Sequence, residues 1–258
     1  ILPDVYDFLT LTITPNIVSG YGLTEVAASV SVSEIPTPNA LDVGAVSLTS
    51  QVKLRAVPGL SYNPRGSPMC GEILVRGPHV FKGYYKEEEM TKEVLDEDGW
   101  YATGDIGTIT KDGSVQIIDR VKQLVKLSQG EYISLSTLTD LYGSTPGVLN
   151  IYVYADSHQD SPLAVVIPKP ELIEEWKKQG ITDVTKSKEA QRDIIERFEK
   201  TAEKNSLRGF EKIKHVLIDT EEFTVANNLL TPSIKPKWQS LRMKYEASLL
   251  LLVQESQQ

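Results

Sequence analysis

The sequence predicts a mixed α+β protein of two domains, with the boundary near residues 119–122. Three observations support this prediction. Residues 41–85 are rich in short β-type patterns that glycine and proline interrupt. The composition shifts after Arg120, and residues 124–252 then alternate between β-prone runs and amphipathic helical patterns. A chain of 258 residues is also long enough for two modest domains.

The first predicted domain, residues 1–119, begins with a helix over residues 3–11, where apolar side chains recur on one face. Pro15 ends the run that follows, and a short strand is predicted at residues 16–18. After the β-rich region, Met90 and Val94 stand four residues apart in a charged segment, which predicts a surface helix at 86–95. Two strands joined by a Lys-Asp-Gly-Ser hairpin turn at 111–114 complete the predicted domain.

The second predicted domain, residues 120–258, has a clearer pattern. The helix at 170–179 has proline at its start and Gly180 after its end, which is the usual asymmetry of helix termini. A stripe from Ala190 to Ala202 has helical spacing and indicates a core-facing helix rather than a binding groove. The other predicted elements are a hairpin at 124–133, helices at 134–142 and 237–252, and strands at 148–154, 163–167 and 214–219.

Composition excludes several classes of protein. The net charge of −8 leaves no basic footprint for nucleic acid. Cys70 is the single cysteine, so no internal disulfide is possible, and an intracellular, reducing location is expected. The three histidines stand far apart in sequence, which argues against a His/Cys metal site. No apolar run approaches the ~20 residues that a membrane-spanning helix needs.

Two short motifs have residue types suited to a nucleotide. In Tyr21-Gly22-Leu23-Thr24-Glu25, flanking glycines free the backbone to present Tyr21 to a planar ligand, while Thr24 and Glu25 supply oxygens for phosphate and Mg²⁺. In Thr103-Gly104-Asp105, a carboxylate follows a glycine and can accept from two neighbouring hydroxyls, as on a ribose. Taken singly, each motif has a structural alternative: a strand-to-helix loop with Thr24 as N-cap for the first, and a β-turn with a solvated Asp105 for the second.

A third motif lies near the end of the chain. Thr231-Pro232-Ser233 is followed by Lys235, which is a point charge on a flexible stem that can reach anionic oxygens. The alternative is a polar loop with a solvated lysine.

The order of the motifs resembles that of the adenylate-forming superfamily, whose enzymes activate a carboxylate with ATP. The motifs are, in order, Tyr-Gly-x-Thr-Glu, Tyr-x-Thr-Gly-Asp, the Lys-Asp-Gly hairpin and Asp119-Arg120. The loop 229–237 and the Gly-Glu-Tyr-Ile hairpin resemble the long-chain fatty acyl-CoA synthetases in particular. The resemblance implies the C-terminal portion only of such an enzyme. It implies the end of a large N-terminal domain with a small distorted β-barrel subdomain at about 41–118, followed by a mobile α+β C-terminal domain.

The resemblance also assigns roles to residues of the first motifs and of the predicted domain boundary. It implies that Tyr21, beside Gly22, stacks on adenine, that Thr24 binds phosphate, and that Glu25 binds magnesium. It implies that Asp105 holds the ribose hydroxyls and Arg120 contacts the nucleotide.

In the second domain the implied roles concern movement of that domain, binding of coenzyme A and catalysis. Lys122 would lie at the hinge, the backbone at Gly130 would line the route of the pantetheine of coenzyme A, and Tyr132 would pack near the acyl-adenylate. Lys235 takes the position of the catalytic lysine. Departures from the family pattern are Leu135, Ser233, Pro236 and Trp238, and none of them removes a reacting group.

The function implied is a long-chain fatty acid–CoA ligase that uses ATP, Mg²⁺, coenzyme A and a fatty acid. The 258 residues contain no glycine-rich phosphate-binding loop, so we expect this fragment alone to bind ATP poorly and not to turn over. For the whole protein we expect a peripheral position on a cytoplasm-facing membrane such as the endoplasmic reticulum. Two alternatives stay open: another adenylate-forming ligase (very-long-chain, bile-acid or luciferase-like), or a non-catalytic binding or regulatory fragment.

Overall fold

The structure is a computed structural model that describes residues 3–35, 42–58 and 62–256. The chain divides into two units, Ile1–Lys122 and Gln123–Gln258. Arg120 is the last residue of the strand Ser114–Arg120 and lies in the first unit. The predicted domain boundary near residues 119–122 stays a prediction.

The first unit is mainly a β-sheet. Its elements are the helices α1 (Pro3–Thr12) and α2 (Glu88–Val94), a 3₁₀ helix at Thr24–Val26, and the strands β1 (Gly20–Tyr21), β2 (Ser31–Val32), β3 (Asp42–Val46), β4 (Gln51–Arg55), β5 (Cys70–Arg76), β6 (Tyr101–Ile109) and β7 (Ser114–Arg120). Both predicted helices are therefore present. The strand predicted at residues 16–18 is wrong, because the partner β2 pairs with Gly20–Tyr21 instead.

The seven strands form one antiparallel sheet in the order β1-β2-β3-β7-β6-β5-β4. In a flat sheet β1 and β6 would lie roughly 19 Å apart, at about 4.8 Å per strand. Yet the Tyr21 hydroxyl on β1 contacts Asp105 on β6 at 2.7 Å. The sheet therefore curls strongly around an apolar core that includes Tyr21, Val26, Ile73 and Tyr101. No strand pairing closes it into a barrel within the part of the unit that the structure describes.

The second unit is an α+β fold. Its elements are the helices α3 (Leu135–Gly143), α4 (Pro170–Lys178), α5 (Lys188–Lys204) and α6 (Trp238–Ser256), a 3₁₀ helix at Gly209–Glu211, and the strands β8 (Leu124–Lys126), β9 (Tyr132–Ser134), β10 (Val148–Tyr154), β11 (Leu163–Pro168) and β12 (His215–Ile218). Strands β8 and β9 form a separate hairpin, and β10-β11-β12 form a three-stranded sheet.

Strand β11 is buried on both faces, as its unbroken apolar sequence requires. Ala164 and Val166 face a core that α3, α4 and α5 cover, while Leu163, Val165 and Ile167 face a second core that α6 covers. This alternation follows from the two-residue period of a strand. The sheet is thereby fixed between two helical layers, and the segment between β12 and α6 packs on the second core.

Across residues 3–35, 42–58 and 62–256, no helix combines the length and apolarity required to cross a bilayer.

Candidate functional site

Thr103-Gly104-Asp105 forms a β-bulge in strand β6. The register with β5 runs from Leu74 opposite Ala102 to Glu72 opposite Ile106, so Ile73 alone faces the three motif residues. Gly104 has a φ of +73°, which is the left-handed region that glycine adopts without strain. The Thr103 hydroxyl donates to the Ile73 carbonyl oxygen at 2.8 Å and thus holds the interrupted ladder together. A bulge of this kind re-aims the side chain that follows it.

That side chain is Asp105, whose two carboxylate oxygens each have a partner. The Tyr21 hydroxyl donates to Oδ2 at 2.7 Å. Arg120 Nε lies 2.9 Å from Oδ1, and Asp105 and Arg120 are directly opposite each other in the β6–β7 ladder. Three residues that the sequence separates widely therefore meet at one carboxylate.

The burial of this group is unusual for a charge. Asp105 is 3% exposed, and burial raises its carboxyl pKa above the ordinary value, while the Tyr21 hydrogen bond and the Arg120 charge oppose that rise. Burial and the nearby Asp105 charge also raise the pKa of Tyr21, which keeps its hydroxyl protonated as a donor. A carboxylate has only acceptors, so Asp105 can also accept hydrogen bonds from two neighbouring hydroxyls, as on a ribose.

The Tyr21 ring itself is 8% exposed and belongs to the apolar core of the first unit. Its observed contact is through the hydroxyl, so stacking of the ring on adenine stays a prediction.

The loop after Tyr21 turns back on itself tightly. The Val30 N–H donates to the Tyr21 carbonyl at 2.8 Å, and Ala27 and Ala28 have φ values of 47° and 88°. A Cβ on Gly22 would lie 1.3 Å from the Ala28 carbonyl oxygen. Gly22 is therefore required by the close approach of the returning backbone.

Replacing Gly22 with alanine is expected to lower the free energy of unfolding by about 1–3 kcal/mol, since the backbone of the loop has to move to admit a methyl group. The matched control is Gly209→Ala, because no heavy atom lies within 4 Å of a Cβ built there. Urea titration of both variants would measure the difference. Equal stability of the two variants would contradict the steric role of Gly22.

The same loop carries the two other candidate residues of the first motif. Thr24 begins the 3₁₀ helix and is exposed, so its hydroxyl is open to a phosphate. Glu25 is half-buried, and its Oε1 accepts a hydrogen bond from the Tyr84 hydroxyl at 2.9 Å. The Phe81 N–H donates to the Glu25 carbonyl at 2.7 Å and fixes its backbone.

Among the described residues no group of three or more His, Cys, Asp or Glu could enclose a metal ion. Mg²⁺ is commonly held by only one or two carboxylates together with substrate phosphates and water. Glu25, with one oxygen engaged by Tyr84 and the other outside that bond, fits this kind of site.

In the second unit, Gly130 and Tyr132 lie on the hairpin of β8 and β9. Gly130 is at its turn with a φ of +91°, and Tyr132 begins β9. The hairpin is tied to the rest of the unit because the Ser128 N–H donates to the Gln159 carbonyl at 2.9 Å. Lys122 is exposed in a short 3₁₀ helix, Val121–Gln123, at the division between the two units.

Lys235 lies on a tight turn between β12 and α6. Its N–H donates to the Thr231 hydroxyl at 3.0 Å, and its carbonyl accepts from the Thr231 N–H at 2.8 Å. A backbone bridge between Leu230 and Pro236 closes the turn, and Leu230 is anchored in the second core. The backbone of Lys235 is thereby fixed, whereas its side chain is exposed.

The structure brings Tyr21, Asp105 and Arg120 into direct contact and places Thr24 and Glu25 on the loop that follows Tyr21. Sequence reasoning gave no role to Tyr84, which contacts Glu25, nor to Thr231, which holds the backbone of Lys235. Two tyrosines follow Gly83 in the sequence, and their spacing does not indicate that Tyr84 contacts Glu25 while Tyr85 is exposed.

The chain is similar to known proteins over most of its length. Residues 2–85 match the family model described as AMP-binding enzyme. The chain is 39% identical over 254 residues to long chain acyl-CoA synthetase 1 of Arabidopsis thaliana, covering 96% of this chain and 38% of that protein. It is 40% identical over 253 residues to fatty acyl-CoA synthetase A of Dictyostelium discoideum, with 95% and 38% covered.

A solved structure with the same fold is the A domain of a carboxylic acid reductase from Segniliparus rugosus, in complex with AMP and a co-purified carboxylic acid. It aligns with a TM-score of 0.83 and 30% identity over 99% of this chain and 38% of that chain. The chain thus spans about 38% of the length of the curated relatives described above. With its sequence matched to long-chain acyl-CoA synthetases and its fold to an adenylation domain, the chain belongs to the AMP-binding, adenylate-forming enzyme family.

Proposed function

We propose that this chain forms part of a long-chain fatty acid–CoA ligase. In the first step a fatty acid carboxylate attacks the α-phosphate of ATP, which gives acyl-AMP and pyrophosphate. In the second step the coenzyme A sulfur attacks the acyl carbon and AMP leaves. The observation that carries the proposal is the buried Asp105 carboxylate, held between Tyr21 and Arg120 in a chain whose relatives are named acyl-CoA synthetases.

In the first step Asp105 accepts hydrogen bonds from the two ribose hydroxyls, which replace its present donors. Arg120 is 61% exposed in its side chain, so it is free to swing from Asp105 toward the nucleotide. Tyr21, beside Gly22, borders the adenine, and the exposed Thr24 hydroxyl donates to a phosphate oxygen. Each of these contacts binds or orients the nucleotide before reaction.

Two charged residues act on the phosphates. Glu25 is the residue that would hold Mg²⁺, which when bound neutralises phosphate charge. Lys235 contributes a cation where negative charge gathers on the α-phosphate and the bridging oxygen, and such preorganised charge stabilises the transition state. The backbone turn around Lys235 is already fixed, so the backbone loses little conformational freedom when the side chain binds phosphate.

The second step uses the second unit in a different position. We propose that this unit rotates about Lys122, which withdraws Lys235 and brings in the β8–β9 hairpin. The backbone at Gly130 would then line the pantetheine route, and Tyr132 would pack against the acyl-adenylate. We propose further that the whole protein is intracellular and peripheral on a cytoplasm-facing membrane.

A panel of carboxylic acids tests the proposed reaction. With ATP, Mg²⁺ and coenzyme A, the whole protein should release pyrophosphate and form thioester with long-chain fatty acids, whereas residues 1–258 alone should release none. Preference for a bile acid, a very long chain or a luciferin would favour the other adenylating ligases. Nucleotide binding without turnover of any acid in the panel would favour the non-catalytic alternative and contradict the proposal.

A further inference from the structure

We propose that Tyr84 is a positioning residue that orients the Glu25 carboxylate for Mg²⁺. The inference rests on the proposed function, which places Mg²⁺ at Glu25. Tyr84 lies 59 residues from Glu25 in sequence, and its hydroxyl donates to Glu25 Oε1 at 2.9 Å.

The hydrogen bond determines how many oxygens Glu25 can offer. The Tyr84 hydrogen bond occupies one lone pair of Oε1 and leaves Oε2 outside that bond, which favours binding of a metal ion through Oε2. Mg²⁺ demands near-ideal octahedral geometry at short distances, while Ca²⁺ accepts both oxygens of a carboxylate in a looser shell. Tyr84 therefore favours the smaller ion as well as fixing the direction of the ligand.

Tyr84 is itself held firmly. Its backbone N–H donates to the Thr91 hydroxyl of α2 at 2.9 Å. Its ring packs edge-on against Phe81 with centroids 4.9 Å apart, and Phe81 packs against Tyr101 at 5.4 Å. The Phe81 N–H in turn donates to the Glu25 carbonyl. Both the backbone and the carboxylate of Glu25 are thus fixed by one short segment, residues 81–84.

Among the hydrogen bonds of the described residues, Tyr84 contacts Glu25 through its hydroxyl alone, and Tyr84→Phe removes that hydroxyl while keeping the ring. The neighbouring Tyr85 has the same side chain but is 86% exposed, which makes it a matched control on the adjacent residue.

The test compares ATP binding with and without metal in the whole protein, by calorimetry, for wild type, Tyr84→Phe, Tyr85→Phe and Glu25→Gln. Outer partners of metal ligands typically contribute 10–100-fold to metal affinity, so Tyr84→Phe should weaken Mg²⁺-dependent binding by roughly 10-fold or more. Binding of metal-free ATP should not change. Tyr85→Phe should match wild type, and Glu25→Gln should lose the Mg²⁺ dependence. The same titration with Ca²⁺ should show poorer discrimination between the two ions in Tyr84→Phe.

Thr91→Val removes the hydroxyl that accepts from the Tyr84 N–H. It should weaken Mg²⁺-dependent binding as well, by a smaller factor than Tyr84→Phe. If Glu25→Gln loses the Mg²⁺ dependence while Tyr84→Phe keeps it, the positioning role is wrong and the proposed magnesium site stands. If Glu25→Gln itself keeps the dependence, the magnesium site at Glu25 is wrong and the role of Tyr84 is overturned with it. Loss of metal-free ATP binding in Tyr84→Phe would show a general structural role and would also overturn the inference.

Discussion

Replacing Lys235 with alanine should slow the formation of acyl-adenylate by roughly 10²–10³-fold in the whole protein, the cost of removing one preorganised charge-stabilising group. The reason is that the side chain is exposed on a turn whose backbone is fixed by Thr231, so it supplies charge without supporting the fold. Thioester formation from preformed acyl-adenylate should change far less, because negative charge no longer builds up on a pentacovalent α-phosphorus.

Two assays separate the half-reactions: pyrophosphate release with fatty acid and ATP, and thioester formation from synthetic acyl-adenylate and coenzyme A. Lys178→Ala is the matched control, since Lys178 is an exposed lysine at the end of α4 in the same unit. Similar, modest losses in both half-reactions would contradict the role assigned to Lys235.

Replacing Asp105 with asparagine should weaken ATP and AMP binding by roughly 10²–10⁴-fold, because hydrogen bonds to a charged group contribute about 1.5–3 kcal/mol each and two ribose hydroxyls are involved. The fold should not lose stability. Burial raises the pKa of the Asp105 carboxyl, so the folded protein binds the carboxyl proton more tightly than the unfolded chain does. The ionised carboxylate therefore lowers the free energy of unfolding at neutral pH. Asparagine removes that cost.

The control for this prediction is Asp112→Asn in the hairpin turn, where the effects should be reversed. Hydrogen bonding to Thr110 lowers the pKa of Asp112, so its ionised form stabilises the fold above its unfolded pKa, and that contribution is lost as the pH falls through the folded pKa. Asp112→Asn should bind nucleotide normally and be slightly less stable at neutral pH. Calorimetric binding and thermal unfolding of both variants measure the two effects. Unchanged AMP affinity in Asp105→Asn would show that the Asp105 carboxylate does not bind the nucleotide.

Local patterns predicted many of the elements. The β6–β7 hairpin followed from Lys-Asp-Gly-Ser, and Gly113 at that turn has a φ of +86°. The helix α4 followed from its proline and glycine punctuation. These predictions succeed because the determining residues are neighbours in sequence, so the rule needs no knowledge of packing.

The contacts of the candidate site were harder to predict, because they join residues that are distant in sequence. The bulge at Thr103–Asp105 depends on Ile73 of the neighbouring strand, and the contact of Tyr21 with Asp105 joins residues 84 apart across a curled sheet. Spacing suggested that Gly22 gives freedom, whereas the structure requires it for the approach of Ala28. Curvature and close approach are properties of the packed sheet, and no window of sequence contains them.

The most direct measurement is a crystal structure of the whole protein with AMP bound. We predict both ribose hydroxyls within hydrogen-bonding distance of the Asp105 carboxylate, with the Tyr21 hydroxyl displaced from Oδ2 and Arg120 turned toward the nucleotide. AMP bound elsewhere, with Asp105 still held only by Tyr21 and Arg120, would contradict the assignment of this site.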